Sequence, residues 1–306
     1  SFETSSQGNA TNFGDMNVPR KAMAGGLSNS IKGFSAGGST GSNINSIEQI
    51  TIASAGNGSD FGDLTVARSA CPGNTSSHGG INIFHPRAPE LYSPTGKVVD
   101  QPGDIGIFGG GDAPSNSKDV EFIQISSTGN GTNWGDLIAD IDNANGARYL
   151  MGPGTPSGSS TTTQIQVTEI STKGNFSDFG DSTSGRGEYG TVASNTRGVF
   201  GPGYAHPAAT NVIDYITFAT IGNATDFGDP STVRAGTSGM CSPTRGCFSG
   251  GFGPSPAYTQ SNVIDYITIA STGNATDFGD ATLNRDSPAG TSSATRGVTG
   301  GGSPTT

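Results

Sequence analysis

The sequence predicts an all-β fold, a closed six-bladed β-propeller with four-stranded blades, and three observations carry that prediction. One short motif recurs six times, its copies are spaced by about the length of a blade, and the two termini supply complementary halves of one copy. The motif reads Asn12-Phe-Gly-Asp15, Asp60-Phe-Gly-Asp63, Asn133-Trp-Gly-Asp136, Asp178-Phe-Gly-Asp181, Asp226-Phe-Gly-Asp229 and Asp277-Phe-Gly-Asp280. Its aromatics stand 48, 73, 45, 48 and 51 residues apart. A period of about 40–50 residues is that of one propeller blade. The one long interval reads as a single insertion, residues 77–103 in blade two.

Each blade divides into strands a to d. Strand a follows the motif, as from Leu64-Thr-Val-Ala-Arg68 onward. Strand b is the Arg-Gly-Val-Phe segment that ends in glycines, where β-carbons would crowd a tight backbone. Strand c is Val212-Ile-Asp-Tyr-Ile-Thr-Phe218 and its copies, β-branched and aromatic residues with polar groups between them. A Gly-Asn pair such as Gly222-Asn223 marks the c–d turn. Strand d carries the motif aromatic, a large apolar group packed between blades. The motif glycine is expected in a left-handed turn, with the flanking carboxylates accepting backbone N–H bonds. No segment shows apolar residues at helical spacing with caps, so almost no helix is expected.

The whole chain, 1–306, is one domain on this reading. Residues 1–15 align with strands c and d, and residues 281–306 with strands a and b, of a shared closing blade. Pairing the two ends removes the loose strand edges of an open ring. Strand c of that blade starts about five residues late by comparison with the other copies. The chain is therefore expected to be one domain of a longer protein or a processed form; a naturally short strand is the alternative.

Composition narrows the function. With 50 Gly, 17 Pro and only 13% charged residues, the chain resembles low-complexity sequence until its periodicity is seen. A net charge of −10, with dispersed basic residues, argues against nucleic acid. No apolar run is long enough for a membrane-spanning helix, and Ser1–Asn9 lacks the apolar core of a secretory leader. Cys71, Cys241 and Cys247 have no metal-ligand spacing. Cys241 and Cys247 either meet across a hairpin or, with Cys71, stay half-buried free thiols.

Charges recur with the repeat. One strand-b position holds Lys32, Arg148, Arg197, Arg245 and Arg296, with Ile105 in blade two; one strand-c position holds Glu48, Glu121, Gln166, Asp214 and Asp265. Counting along the hairpin sets Arg197 opposite Asp214 and Arg245 opposite Asp265, as exposed cross-strand ion pairs of about 0–1 kcal/mol each. The alternative is a basic ring that holds an anion at one mouth of the channel.

No catalytic or metal-binding set emerges. His78, His85 and His206 have neither triad nor metal spacing. The paired carboxylates of the motif supply too few ligands for calcium on their own. Seven Asn-x-Ser/Thr sites occur, at Asn9, Asn57, Asn74, Asn130, Asn175, Asn223 and Asn274; six fall at the c–d turn, where turn chemistry accounts for Asn. Binding is expected where the copies differ, in the loops. The candidates are Phe84, His85, Arg87 and Tyr92 of the insertion, and Tyr204, His206, Phe252 and Tyr258 of the b–c loops. Exposed aromatics of this kind stack on sugar rings or protein surfaces, or else pack locally under their loops.

The unit resembles kelch repeats. The glycine doublets are Gly37-Gly38, Gly109-Gly110, Gly250-Gly251 and Gly301-Gly302, and an Arg follows the aromatic at Arg20, Arg68, Arg234 and Arg285. Blade three departs, with Asp140 at the Arg position, and blades three and four replace the doublet by Gly-Pro-Gly. That resemblance implies fold, not activity. The wording NVIDYITIASTGNATDFGD, joined to TRGVF-type strands, is similar to repeats in virion structural proteins of marine tailed phages, cyanophages included. It implies a non-enzymatic tail-fibre, adhesin or decoration domain on the particle surface, extracellular and without cofactor. Its implied partners are a host surface glycan or other virion proteins, with homo-oligomers in a fibre or capsid. A cellular kelch-like scaffold and a glycan-cleaving propeller are the alternatives.

Overall fold

The computed structural model describes all residues except 23–25, 75–104, 114, 143–145, 148–149, 157–159, 169–172 and 305–306. It is all-β, with no helix among the described residues, and its blades form a six-bladed propeller. Blade one pairs Leu27–Ser28, Lys32–Ala36, Ser46–Thr51 and Ser59–Asp63 in that order. Blade two pairs Gly73–Asn74, Ile105–Gly109, Asp119–Gln124 and Thr132–Asp136; blade three pairs Gly146–Ala147, Leu150–Met151, Gln164–Val167 and Ser177–Asp181. Blade four pairs Thr191–Ala193, Arg197–Phe200, Ile213–Thr217 and Thr225–Gly228; blade five pairs Ser238–Cys241, Arg245–Ser249, Val263–Thr268 and Thr276–Asp280. These are strands a to d as expected, all antiparallel. The insertion 77–103 lies outside the described residues.

Blade six closes the ring. Its strands a and b, Ala289–Ser292 and Arg296–Gly300, come from one end of the chain and its strand c, Phe2–Glu3, from the other. Phe2 pairs with Gly297 and Glu3 with Arg296, and the Thr4 N–H donates to the Thr295 carbonyl at 2.8 Å. Phe2 is buried, its ring 5.2 Å from Phe278 of blade five. This blade is a three-stranded sheet; residues 11–15 run beside it, tied on by two backbone bonds between Ser1 and Thr11.

In blades one to five the motif aromatic lies on strand d, as expected, but the motif glycine sits within that strand rather than in a turn, which corrects the expectation. In blades one, two, three and five, and in blade four likewise, the c–d ladder slips by one residue at the aromatic: Ile47 faces Gly62, but Glu48 faces Asp60. The extra residue of this bulge is the aromatic, and Phe61, Trp134, Phe179, Phe227 and Phe278 are all buried. The motif glycine, at φ of 142–159°, meets the next blade. A β-carbon there would lie 2.2–2.7 Å from the backbone of a c–d turn glycine, as with Gly14 on Gly56 and Gly279 on Gly8.

Every blade interface repeats one three-bond seam. The motif aromatic's carbonyl accepts from the turn glycine N–H at 2.8–3.2 Å, as Phe227 does from Gly273. The second motif Asp accepts through its carbonyl from the residue after the turn Asn, as Asp229 does from Ala275. That Asp's own N–H then donates to the Asn Oδ1 at 3.0–3.1 Å. The six acceptors are Asn57, Asn130, Asn175, Asn223, Asn274 and Asn9, so this Asn serves the neighbouring blade, not only its own turn. The seam occupies the outer edge of strand d, which an isolated blade would leave unpaired.

The ion pairs also differ from expectation. Arg197 pairs in register with Thr217, and Asp214 with Phe200. The acids instead meet the Arg that lies five residues beyond the motif: Arg20–Glu48 at 3.0 Å, Arg68–Glu121, Arg186–Asp214 and Arg234–Asp265 at 2.9 Å, all buried. The same carboxylates accept backbone N–H groups of the d–a connection, such as Thr183 to Asp214. Blade three carries Ile141 at this position, not Asp140: Gly111 N–H donates to the Ile141 carbonyl as Gly38 does to that of Arg68. There the acid is replaced as well, by Gln166, so charge is lost on both sides together. The strand-b bases lie elsewhere. Arg197 and Arg245 stack 4.4 and 4.6 Å over Tyr215 and Tyr266 and donate to the Ile269 and Thr4 carbonyls of the next blade. A cross-strand pair of the expected kind forms at Arg296 and Glu3, 3.2 Å apart and partly exposed. Arg148 lies outside the described residues.

Small residues let the inner strands converge. One strand-a position is Gly26, Gly73, Gly146, Gly239 and Gly290, with Thr191 in blade four. A β-carbon on Gly26 or Gly239 would fall 1.8 or 2.0 Å from the backbone of an adjoining blade.

Candidate ligand-binding site

Antiparallel order puts the b–c loops and the d–a connections at the same end of the ring. The d–a connections turn sharply there through left-handed residues, Ala22, Ala70, Glu188, Gly236 and Ser287, with φ of 47–67°. Backbone bonds link them from blade to blade, Ala70 N–H to Ala22, Gly236 to Glu188 and Ser287 to Gly236, at 2.6–2.9 Å. The b–c loops of five blades bridge to this collar, those of blades four and five among them. Tyr204 exchanges two backbone bonds with Gly187, and Phe252 two with Ala235.

The result is one aromatic cluster across blades four and five. The Tyr204 ring lies 6.0 Å from His206 and 6.1 Å from Phe252, and Phe252 lies 5.9 Å from Tyr258. The two tyrosine hydroxyls are 3.5 Å apart, and the Tyr204 hydroxyl also donates to the Pro207 carbonyl at 2.9 Å. His206 and Tyr258 are exposed, while Tyr204 and Phe252 are half-buried. Thus four of the predicted loop residues, drawn from two loops, are brought together. The other four, Phe84, His85, Arg87 and Tyr92, lie outside the described residues.

An acid adjoins the cluster. Glu188 follows Gly187, the backbone partner of Tyr204. Burial, then the negative charges of Asp286 and Asp142, push its carboxyl up to about 7 from the usual 4.5. Sequence reading passed over Glu188 because it lies on a connection, not in a repeated strand. It also passed over Arg186, which the five-residue spacing from the motif would have found. Among the described residues, no group of three or more His, Cys, Asp and Glu side chains is placed to hold a metal ion.

The cysteines are fully buried rather than half-buried, and none of the three forms a disulfide. Cys241 faces Gly246 and Cys247 faces Met240, so the two are one step out of register across their hairpin. Burial pushes the Cys71 thiol up to about 11 and that of Cys247 up to about 12. Asn74, the seventh sequon, is buried and donates to the Leu150 carbonyl, whereas the six seam asparagines are exposed.

Large exposed hydrophobics favour the same end. Val66, Ile138, Val233 and Leu283 lie on d–a connections and Tyr258 on a b–c loop; Ile31 and Ile221 lie at the opposite end. Comparison with known proteins finds no matching family model and no matching curated protein. The fold is that of a β-propeller whose repeats are consistent with the kelch-like kind, an architecture that presents loops on a rigid ring for interaction.

Proposed function

We propose that this chain is a non-enzymatic binding domain of a phage particle, which holds a host surface glycan or another virion protein through its b–c loops. The aromatic cluster of Tyr204, His206, Phe252 and Tyr258 carries this reading. Its rings offer apolar faces for a sugar or an apolar side chain, and its two hydroxyls offer hydrogen bonds beside them. The exposed Val66, Ile138, Val233 and Leu283 at the same end support a protein partner. The virion setting is supported by the resemblance of the repeats to phage structural proteins.

The test is retention of the purified chain on intact host cells and on purified particles, with whole phage as competitor. Saturable binding to cells that blocks phage adsorption is the expected result for a receptor-binding head, and retention on particles alone is that for a decorating domain. Binding to neither would overturn the reading. Glu188 favours a second reading, glycan cleavage, because a carboxyl protonated near neutral pH is what a glycosidase's general acid requires. Release of reducing ends from a host polysaccharide, lost in Glu188→Gln, would support it.

A further inference from the structure

Two sets of equivalent positions line the b–c end of the ring, and both depart from the repeat in one sector. Among the described residues, the collar carries Ala22, Ala70, Gly236 and Ser287, but Glu188 on the connection into blade four. The b–c loop residue that bridges to the connection is Ser39, Asp112 and Thr155 in blades one to three, but Tyr204 and Phe252 in blades four and five. Backbone contacts fix the acid beside both rings. Glu188 follows Gly187, the bridge partner of Tyr204, and its carbonyl accepts the Gly236 N–H at 2.6 Å. Phe252 lies on that same Gly236, where a β-carbon would fall 2.9 Å from its ring. The hydrogen bond with Tyr258 comes first in raising the Tyr204 hydroxyl, and the charge of Glu188 adds to it.

Charge in this sector runs one way. Glu188 has no ion-pair partner among the described residues, and Asp286 and Asp142 add to the negative field around it. The arginines of the connections into blades four and five, Arg186 and Arg234, are buried against Asp214 and Asp265 and present no positive charge to the surface. An anionic ligand is repelled here, whereas a cation meets both a carboxylate and aromatic faces. Two hydroxyls, on Tyr204 and Tyr258, stand 3.5 Å apart beside those faces. Tyr258 is held at φ of 44°, a left-handed conformation that costs energy in a residue with a side chain and recurs at ligand clamps. A lysine side chain carries one polar group and would engage neither hydroxyl. A sugar ring with an amino substituent supplies hydroxyls, an apolar face and a cation together.

We propose that the blade four–five sector binds an amino sugar of a glycan, its ammonium group at Glu188, its ring against Tyr204 and Phe252, and its hydroxyls bonded to those of Tyr204 and Tyr258. This rests on the reading of the b–c end as a glycan-binding surface, and it names the sugar's positive charge as the feature selected. Asp286 and Asp142 strengthen the attraction from farther away. Neutralising the amine keeps the stacking and the hydroxyl bonds but leaves the carboxylate without its partner, so the neutral analogue binds less tightly.

Calorimetry at pH 8, where Glu188 is mostly ionised given its midpoint of about 7, compares two oligomers of equal length and linkage. One is built of N,N,N-trimethylglucosamine, whose charge does not titrate, and the other of N-acetylglucosamine. The cationic oligomer is expected to bind one to one and at least about tenfold more tightly, with an advantage that shrinks as salt is raised. Glu188→Gln is expected to remove that advantage and to leave binding of the N-acetyl oligomer within about twofold. Tyr204→Ala with Tyr258→Ala is expected to weaken both oligomers. If a variant does not fold, the two oligomers and their stoichiometry on the unaltered chain still decide. Equal affinity for the two, several cationic oligomers bound per chain, or an advantage that survives Glu188→Gln would overturn the proposal. Continued retention of the same chain on cells or particles would then leave the b–c end as a binding surface, whereas loss of that retention would remove both readings. Nα-acetyl-lysine methylamide that binds as tightly as the cationic oligomer would assign the site to a basic side chain of a protein, and would also overturn it.

Discussion

At the scale of single residues, the seam asparagine shows how one side chain can satisfy two demands. Its place in the c–d turn was legible in the sequence, because Gly-Asn is turn chemistry. Its bond to the neighbouring blade was not, because a turn alone already accounts for an Asn there. The two accounts separate on substitution. Asn274→Ala removes the acceptor of the Asp229 N–H and should cost about 1 kcal/mol, while Asn274→Asp keeps an oxygen in place and should cost less. Denaturant unfolding of both variants checks this; equal losses would return the residue to the turn alone. Glu188 was invisible for another reason: its setting depends on burial and on Asp286 and Asp142, which are distant in sequence. The folded chain holds this proton to about pH 7, and the unfolded chain releases it near 4.5. Folded protein therefore binds more protons in that window. The contribution is fully present below about 4.5 and is lost as pH rises through about 7. Glu188→Gln should melt a few degrees higher than the parent at pH 8 and about equally at pH 4, as read by thermal melts.

At the scale of the element, the strand pattern was read correctly and the register was not. The β-branched and aromatic run of Val263–Thr268 identifies strand c, but its burial does not alternate strictly: Ile264 and Asp265 are buried in succession, the acid by its pairing with Arg234. Counting residues around the b–c hairpin misplaced the acids, because those loops are irregular and the true partner is Thr217 for Arg197 and Thr268 for Arg245. The acids then find the buried Arg of the d–a connection, which ties that connection to the middle of its blade. Blade three indicates that this tie can be neutral, with Ile141 and Gln166 in place of the charges. Removing one partner of a buried pair leaves an uncompensated charge and costs about 3–5 kcal/mol. Arg234→Ile should lose about that much, and Arg234→Ile with Asp265→Gln should recover most of it. Unfolding free energies of the two variants test this, and a double variant no better than the single would contradict it.

At the scale of the molecule, the count of blades, their order and their closure were all legible, because each follows from a repeat read along one dimension. The site was legible only in part. Tyr204, His206, Phe252 and Tyr258 stood out as departures from the repeat, but their assembly into one cluster depends on two loops from different blades resting on the same collar. That collar is rigid: left-handed residues, inter-blade backbone bonds and buried ion pairs converge on it. A rigid ring holds the loop aromatics in place before any ligand arrives, which limits the entropy lost on binding. The most direct test of this account compares the two ends of the ring in one retention assay on cells and particles. Tyr204→Ala with Tyr258→Ala alters the b–c end, and Ile31→Ser with Ile221→Ser alters the opposite end. The account predicts at least a tenfold loss of binding for the first pair and none for the second; a loss confined to the second pair would contradict it.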